Sequence, residues 1–152
     1  MIRGEDLRGS PDHRMKAVVL HGAGDLRRTE ALVPEPLEGE VLVRITHCAL
    51  CRTDAKMWRQ GHRDLRLPRI LGHEVCGVAE GDGGRCVVWP GAACGNCDAC
   101  ASGRENLCEA MRIMGFHRDG GLAEFAAVPK NSLIPVPADL DGGVAALAEP
   151  LA

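Results

Sequence analysis

The sequence predicts a mainly β fold with only a few short helices. Short runs rich in Val, Ile and Leu recur along the chain, turn-forming residues separate them, and helical periodicity is scarce. The 152 residues include 19 glycines and 9 prolines, which suits a turn-rich β domain better than a helical bundle. With 45% hydrophobic residues at this length, the chain is expected to fold around one core.

Six segments are predicted to be strands. Each is a short β-like run bounded by Gly, Pro or polar turn residues, such as the GDGG turn at 81–84. The predicted strands cover residues 15–20, 41–48, 74–79, 85–90, 121–129 and 132–137. Cys48, Cys76 and Cys86 fall within these runs and are interpreted as small core residues.

Two short helices are predicted. The first is expected to begin at Thr53, whose hydroxyl can cap the first turn, and to end at Gly61. The second is expected to begin at Asp141, another capping residue type, and to run to the vicinity of Pro150. Because an isolated terminal helix is only marginally stable in water, this second helix is expected to need a packing partner.

The net charge and the N-terminal segment indicate which partners and which cellular location to expect. The net charge of −3 leaves no basic surplus for nucleic acid or an anionic membrane, so neither partner is expected. Residues 1–14 are polar, carry no apolar signal-type core and are expected to form a disordered extension before one domain at 15–152. No apolar run approaches the roughly 18 residues that span a bilayer. A cytoplasmic location is expected, where disulfides do not persist.

Four cysteines close together predict a metal site. They follow the spacing C-x2-C-x2-C-x7-C and are Cys94, Cys97, Cys100 and Cys108. Four thiolates on one tight loop fit tetrahedral Zn²⁺, whose Zn–S bonds are about 2.3 Å long. Gly95 and Gly103 allow the loop to turn sharply. Because a closed four-thiolate shell leaves no open coordination position, this zinc is predicted to be structural.

Three other uses of these cysteines fit the sequence less well. A bacterial iron–sulfur run has three residues before its fourth cysteine and a proline after it, whereas seven residues and Glu109 occur here. This hypothesis is kept as the minor alternative. A C-x-x-C redox pair belongs at a helix start within a βαβ pattern, which this sequence does not show. Unliganded core cysteines are disfavoured by the polar residues between them: Asn96, Asp98, Ser102, Arg104 and Glu105.

A second candidate site combines Cys51 with His73. Both residue types are good zinc ligands, and each lies beside the end of a predicted strand. Alone the pair is a weak signal, since cysteine is often simply buried and a single histidine is commonly a structural group. A zinc deaminase is excluded by spacing, because its glutamate stands two residues after the histidine, whereas Glu74 is adjacent to His73.

Several motifs occur in the order seen in one enzyme family. They are GHE at 72–74, GAACGNCDACASGRENLC at 91–108, DGGLAEFAAVP at 119–129 and AEPLA at 148–152. With them, residues 15–152 resemble the N-terminal, GroES-like catalytic domain of zinc-dependent medium-chain dehydrogenases. The resemblance implies a partly open β-barrel from which the structural zinc lobe extends.

The resemblance also implies a catalytic zinc, in addition to the structural one. Cys51, His73 and Glu149 would bind it, as in the polyol and threonine dehydrogenase branch, with Glu74 as an alternate ligand. Water or a substrate oxygen would complete the shell. A glutamate at position 149, where some alcohol-oxidising members have cysteine, favours polyols, sugars or hydroxy amino acids as substrates.

Three further residues take roles from the same resemblance. Asp54 would be the carboxylate that orients the zinc-bound histidine. Thr53 would receive the proton of the substrate alcohol, and Arg52 would contact the dinucleotide pyrophosphate. The outer proton path departs from the family pattern, because the next histidine after Thr53 is His62. Trp58 is a weaker candidate for the lining of the substrate pocket.

The nicotinamide site is expected on a domain that this sequence does not contain. The segment GAGDLR at 22–27 has Arg27 in place of a third glycine, and Pro34 and Pro36 interrupt any following helix, so it is interpreted as a turn. NAD or NADP would bind only with a dinucleotide-binding domain supplied in cis or in trans. The chain alone is expected to be inactive, with an apolar face that promotes self-association or recruits a partner.

Two function classes follow. The first is the catalytic domain of an NAD(P)-dependent alcohol or polyol dehydrogenase, which transfers hydride from a secondary alcohol with the help of zinc. The second is a zinc-stabilised, non-catalytic binding module with the same fold. Two zinc ions per chain would favour the first class, and one would favour the second.

Overall fold

The computed structural model describes residues 13–81 and 83–152 and confirms the mainly β prediction. The strands are β1 (Arg14–Gly22), β2 (Asp25–Leu32), β3 (Glu40–Ala49), β4 (Arg69–Ile70), β5 (Glu74–Ala79), β6 (Arg85–Val88), β7 (Gly91–Ala92), β8 (Arg112–Ile113), β9 (Phe125–Pro129) and β10 (Leu133–Pro135). The helices are α1 (Arg52–Gln60), α2 (Asp98–Ala101), α3 (Gly142–Ala146) and α4 (Ala148–Leu151). The expected N-terminal extension lies outside the described residues as far as residue 12, and β1 begins at Arg14.

The strands form antiparallel sheets that curl into a half-barrel, as the resemblance implied. The larger sheet has the strand order β10-β6-β5-β3-β9, and a three-stranded sheet has the order β2-β1-β4. Val18 N–H donates to the Leu122 carbonyl, and Ala17 bridges to Ala123, so β1 is joined to the segment before β9. The short strands β7 and β8 pair at the base of the cysteine-rich lobe, which spans residues 94–108.

The main core lies inside the larger sheet. Alternate residues of β3, β5, β6 and β9 face it, because side chains alternate between the two faces of a strand. Its buried residues are Val43, Val75, Ala79, Cys86, Val88, Met114, Ala126 and Val128. Cys76 is buried in a separate cluster beneath α3, and Cys48 packs partly buried against the main core. The interpretation of these three cysteines as core residues is therefore confirmed.

Strand β2 was missed by the sequence interpretation, which assigned residues 22–27 to a turn. The turn is present and contains Gly24 at φ +78°, but Asp25 already begins β2. The sequence DLRRTEAL gives no alternating pattern because most of these side chains face solvent. The strand exists because its backbone pairs with β1 from Asp25 to Leu32, a tertiary contact that composition does not reveal.

Both predicted helices are present, with corrected ends. Helix α1 begins one residue earlier than Thr53, and its N-cap is Cys51, whose sulfur accepts the Thr53 N–H. The end at Gly61 is confirmed, at φ +66°. The second predicted helix starts after Asp141, whose carboxylate accepts the Val144 N–H, but Leu147 divides it into α3 and α4. Helix α3 packs against β3 and β5, which supplies a packing partner.

Candidate metal centres and substrate cleft

The four cysteines of the lobe converge on one point. The Sγ atoms of Cys94, Cys97, Cys100 and Cys108 all lie within 4.8 Å of one another. The Cys97–Cys100 and Cys94–Cys100 sulfur distances are 3.5 and 3.9 Å. Tetrahedral zinc with bonds of about 2.3 Å separates its sulfur ligands by about 3.8 Å, so this donor set fits one zinc ion.

Backbone N–H groups of the lobe donate hydrogen bonds to two of its cysteine sulfur atoms. The N–H groups of Asn96 and Cys97 donate to the Cys94 sulfur and lower the pKa of that thiol to about 6. The Cys94 N–H donates to the Cys108 sulfur over 3.3 Å. Thiolates are the form that binds metal, so these amide contacts favour the binding state at Cys94 and Cys108. Burial and the neighbouring Cys97 thiol raise the pKa of Cys100 to about 12.

A second donor group forms where α1 meets the start of β5. Cys51 Sγ lies 3.1 Å from His73 Nε2, although 22 residues separate the two in sequence. The tight backbone just before His73 is built by Gly72, at φ +93°, where an added Cβ would lie 2.7 Å from the Cys48 sulfur. The sequence pairing of Cys51 with His73 is thus matched by their geometry, and sulfur and imidazole nitrogen are typical zinc ligands.

Asp54 connects the two halves of this centre. Its carboxylate is only 4% exposed and accepts the Cys51 N–H over 3.0 Å and the Gly72 N–H over 3.1 Å. The same carboxylate lies 3.7 Å from His73 Nδ1, on the ring edge opposite the nitrogen that faces Cys51. A carboxylate in this place fixes the ring orientation of a metal-binding histidine.

Two glutamates complete the neighbourhood of His73. Glu74 at the start of β5 and Glu149 on α4 each offer an oxygen within 4.8 Å of a His73 nitrogen and of each other. Glu74 is 4% exposed and makes no ion pair or side-chain hydrogen bond in the described part of the chain. Burying a carboxylate without a positive partner is unfavourable, and a divalent cation at this point would offset that cost. His73 thus belongs to two donor groups, one with Cys51 and Asp54 and one with Glu74 and Glu149, and their sulfur, imidazole and carboxylate donors suit zinc.

Cys48 lies near this centre but does not belong to its donor set. Burial, together with the carboxylates of Asp54 and Glu74, raises the pKa of the Cys48 thiol to about 12. The thiol stays protonated at neutral pH and contacts the Ala49 carbonyl. Cys48 is in neither donor group of the described residues, so its position separates its role from that of Cys51.

An open cleft of about 570 Å³ leads to the centre. Thr53, His73 and Glu149 line it, together with apolar residues that include Met57, Met111, Met114, Trp89 and Phe116. Arg52 lines a different surface depression with Lys56 and Arg59. Trp58 does not line this cleft, whereas Trp89, the residue after β6, does. Sequence position relative to Cys51 could not reveal this, because a residue of another strand supplies the wall.

His62 also lines the cleft, although no motif singled it out. It follows Gly61, the residue that ends α1, so the turn at the helix end brings its ring to the cleft wall. Its ring packs edge-on against Phe116, with 4.9 Å between ring centroids. The only sequence signal for this residue was its position as the first histidine after Thr53.

Residues 37–138 match the family model of the alcohol dehydrogenase GroES-like domain. The chain belongs to this family. This GroES-like domain is 37% identical over 129 residues to L-galactonate-5-dehydrogenase of Escherichia coli K12. The aligned residues make up 79% of the present chain and 38% of that protein. No helix in the described part of the chain is long and apolar enough to cross a bilayer.

Solved structures agree with this assignment. An alcohol dehydrogenase from Escherichia coli CFT073 in complex with NADH has a TM-score of 0.83 and 31% identity, over 91% of the GroES-like domain and 43% of that chain. A cobalt- and zinc-bound alcohol dehydrogenase from Pyrobaculum aerophilum has a TM-score of 0.79 and 29% identity, over 90% of the GroES-like domain and 45% of that chain. The domain thus spans less than half the length of each of these relatives.

Proposed function

We propose that the chain is the zinc-binding catalytic domain of an NAD(P)-dependent alcohol or polyol dehydrogenase. The observation that carries the proposal is the 3.1 Å approach of Cys51 Sγ to His73 Nε2, with Asp54 behind the ring and an open cleft in front. In this proposal Cys51, His73 and Glu149 hold the catalytic zinc and Glu74 is an alternate ligand. The lobe cysteines hold a second, structural zinc.

The residues of the cleft have separate tasks in the proposed reaction. Zinc at this centre supplies Lewis-acid polarisation of an alcohol oxygen, which lowers the pKa of the alcohol. Thr53 lines the same cleft and its hydroxyl oxygen is the proposed acceptor of the alcohol proton. Asp54 keeps His73 in one orientation. The apolar walls formed by Met57, Met114 and Phe116 exclude water from the reacting carbon.

Hydride transfer needs a second domain in this proposal. The relative from Escherichia coli CFT073 binds NADH in a chain more than twice as long as the part matched here. We propose that a dinucleotide-binding domain, in cis or in trans, places NAD or NADP beside the cleft and that Arg52 contacts the pyrophosphate. Arg52 is exposed at the start of α1, next to Lys56 and Arg59, so this surface is cationic.

The match to L-galactonate-5-dehydrogenase supports a polyol-type substrate, a small molecule with a secondary alcohol. Cysteines bind metal only as reduced thiolates, so the proposed zinc sites suit a reducing compartment such as the cytoplasm. Without the second domain, the chain is expected to show no turnover of polyols with NAD or NADP. Turnover by the purified chain would contradict this part of the proposal.

Metal analysis of Cys51→Ser tests the cleft centre. Serine is a good N-cap and can still accept the Thr53 N–H, so the variant removes a zinc ligand while α1 stays capped. The wild-type chain is expected to hold two zinc ions and the variant one. Cys76→Ala is the control, because Cys76 is buried outside both donor groups. One zinc ion in the wild type would instead indicate a non-catalytic binding module.

A further inference from the structure

A second cleft adjoins the one that holds the proposed zinc centre. Its volume is about 500 Å³, and it is lined by Arg63, Asp64, Arg66, Arg112, Phe116 and His117. These residues come from the loop after α1 and from the region of β8, two segments far apart in sequence. The two clefts share Phe116, so one aromatic ring is the wall between them.

Phe116, the ring between the two clefts, contacts a histidine ring on each side. Phe116 packs edge-on against His62 on the side of the first cleft and against His117 on the side of the second, at centroid distances of 4.9 and 4.5 Å. Backbone contacts also cross the wall. The Asp64 N–H donates to His62 Nδ1 over 3.2 Å, and the Ile113 N–H donates to His117 Nδ1 over 2.9 Å. The two clefts are therefore neighbours.

These backbone contacts decide which hydrogen-bonding groups the histidines offer. Because each Nδ1 accepts an N–H, a neutral ring must carry its proton on Nε2. His62 and His117 thus remain donors, not acceptors, toward any ligand. Arg63, Arg66 and Arg112 add guanidinium donors to the second cleft, and guanidinium groups match the geometry of phosphate and carboxylate.

The charge of the second cleft is positive. Three guanidinium groups face one carboxylate, Asp64, which is paired with Arg63 over 3.3 Å. The side chain of Arg66 makes no hydrogen bond or ion pair with any described residue. Burial and the nearby Arg112 guanidinium lower the pKa of His117, which agrees with a positive field at this point.

We propose that this second cleft is an oxyanion subsite that binds the anionic end of the substrate. The substrate would then be a polyol that carries a terminal phosphate or carboxylate, with its secondary alcohol in the first cleft. The link to the alcohol rests on the proposed function, whereas the oxyanion subsite rests on the cationic residues alone. Arg66 is the specificity-determining residue, because its guanidinium has no competing partner among the described residues.

Isothermal titration of the zinc-loaded chain tests this inference. The probes are sorbitol, sorbitol 6-phosphate, gluconate and inorganic phosphate, at low ionic strength because exposed charges are screened by salt. Sorbitol 6-phosphate or gluconate is expected to bind more tightly than both sorbitol and inorganic phosphate. Arg66→Gln should weaken binding of that anionic polyol about tenfold and leave sorbitol unchanged. Whichever anion depends on Arg66 identifies the group that the subsite takes.

Arg28→Gln is the matched control, since it removes the same charge from exposed β2 and does not line either cleft. Equal weakening by both variants, or none by Arg66→Gln, would overturn the inference. Failure of the proposed function is seen separately, in the zinc count of Cys51→Ser. Suppose that the wild-type chain holds one zinc ion and that its binding of phosphate depends on Arg66. The zinc centre in the first cleft and the link to a polyol would then be rejected, whereas the oxyanion subsite would be retained.

Discussion

The two candidate metal centres are built in opposite ways. The lobe takes all its donors from residues 94–108, and within that span only Cys108 is buried. The cleft centre takes its donors from the residues that begin or precede α1 and β5 and from α4, and its residues Asp54 and Glu74 are almost fully buried. The lobe therefore has little apolar packing to hold it without metal, whereas the cleft centre sits on a sheet that is stable for other reasons.

From this comparison we expect metal to have a different role in each region. In the lobe, helix α2 and the turn at Glu105–Leu107 contain no buried residues, so we expect a bound zinc ion to replace a hydrophobic core. At the cleft centre, Asp54 already holds Cys51 and Gly72 through backbone hydrogen bonds. Loss of metal should unfold the first region and leave the second in place.

The largest expected effect is on the lobe. Cys100→Ser should remove the structural zinc, whose binding contributes about 10–16 kcal/mol in small zinc peptides. Residues 94–108 are then expected to lose amide protection in hydrogen–deuterium exchange while β3, β5 and β6 keep theirs. Ser102→Ala is the control, because it removes hydrogen bonds to the Asp98 and Ala99 carbonyls of the same lobe but no metal ligand. Continued protection of the lobe in Cys100→Ser would contradict the metal-held interpretation.

A smaller effect is expected from Asp54→Asn. Loss of the carboxylate charge beside His73 should lower zinc affinity at the cleft centre about 10- to 100-fold, with the lobe zinc retained. The altered cap should also destabilise α1 by about 1 kcal/mol. Competition with a chelator, followed by metal analysis, measures both sites. Asp25→Asn on exposed β2 is the control, and loss of both zinc ions in Asp54→Asn would refute the separation of the two centres.

The smallest effect is expected at Arg85, whose side chain forms hydrogen bonds with the segment that precedes α3 and α4 and leads to Glu149. Its guanidinium donates to the carbonyls of Pro137, Ala138 and Leu140, just before α3 and α4. Arg85→Met should destabilise that segment by about 1 kcal/mol and increase exchange in α3 and α4. The exposed Arg44→Met on β3 is the control. Unchanged exchange in Arg85→Met would show that packing of α3 on β3 and β5 is sufficient.

The elements that the sequence predicted well have local causes. Strand β5 matches its predicted range of 74–79, because a short apolar run bounded by turn residues has few alternatives. The end of α1 at Gly61 follows from a residue that adopts positive φ without cost. Strand β2 escaped prediction because only its backbone pairing with β1 specifies it. The cap at Cys51 escaped prediction because a thiol took the place of the expected hydroxyl.

Sequence by itself determined the lobe and the type of fold. Cysteines spaced two and seven residues apart can meet at one ion without help from distant segments, so their spacing is sufficient information. Only the tertiary structure decided that Cys51 and His73 face each other and that Phe116 stands between two clefts. These contacts join residues far apart in the chain, and their positions depend on how the sheet curls and how the helices pack on it.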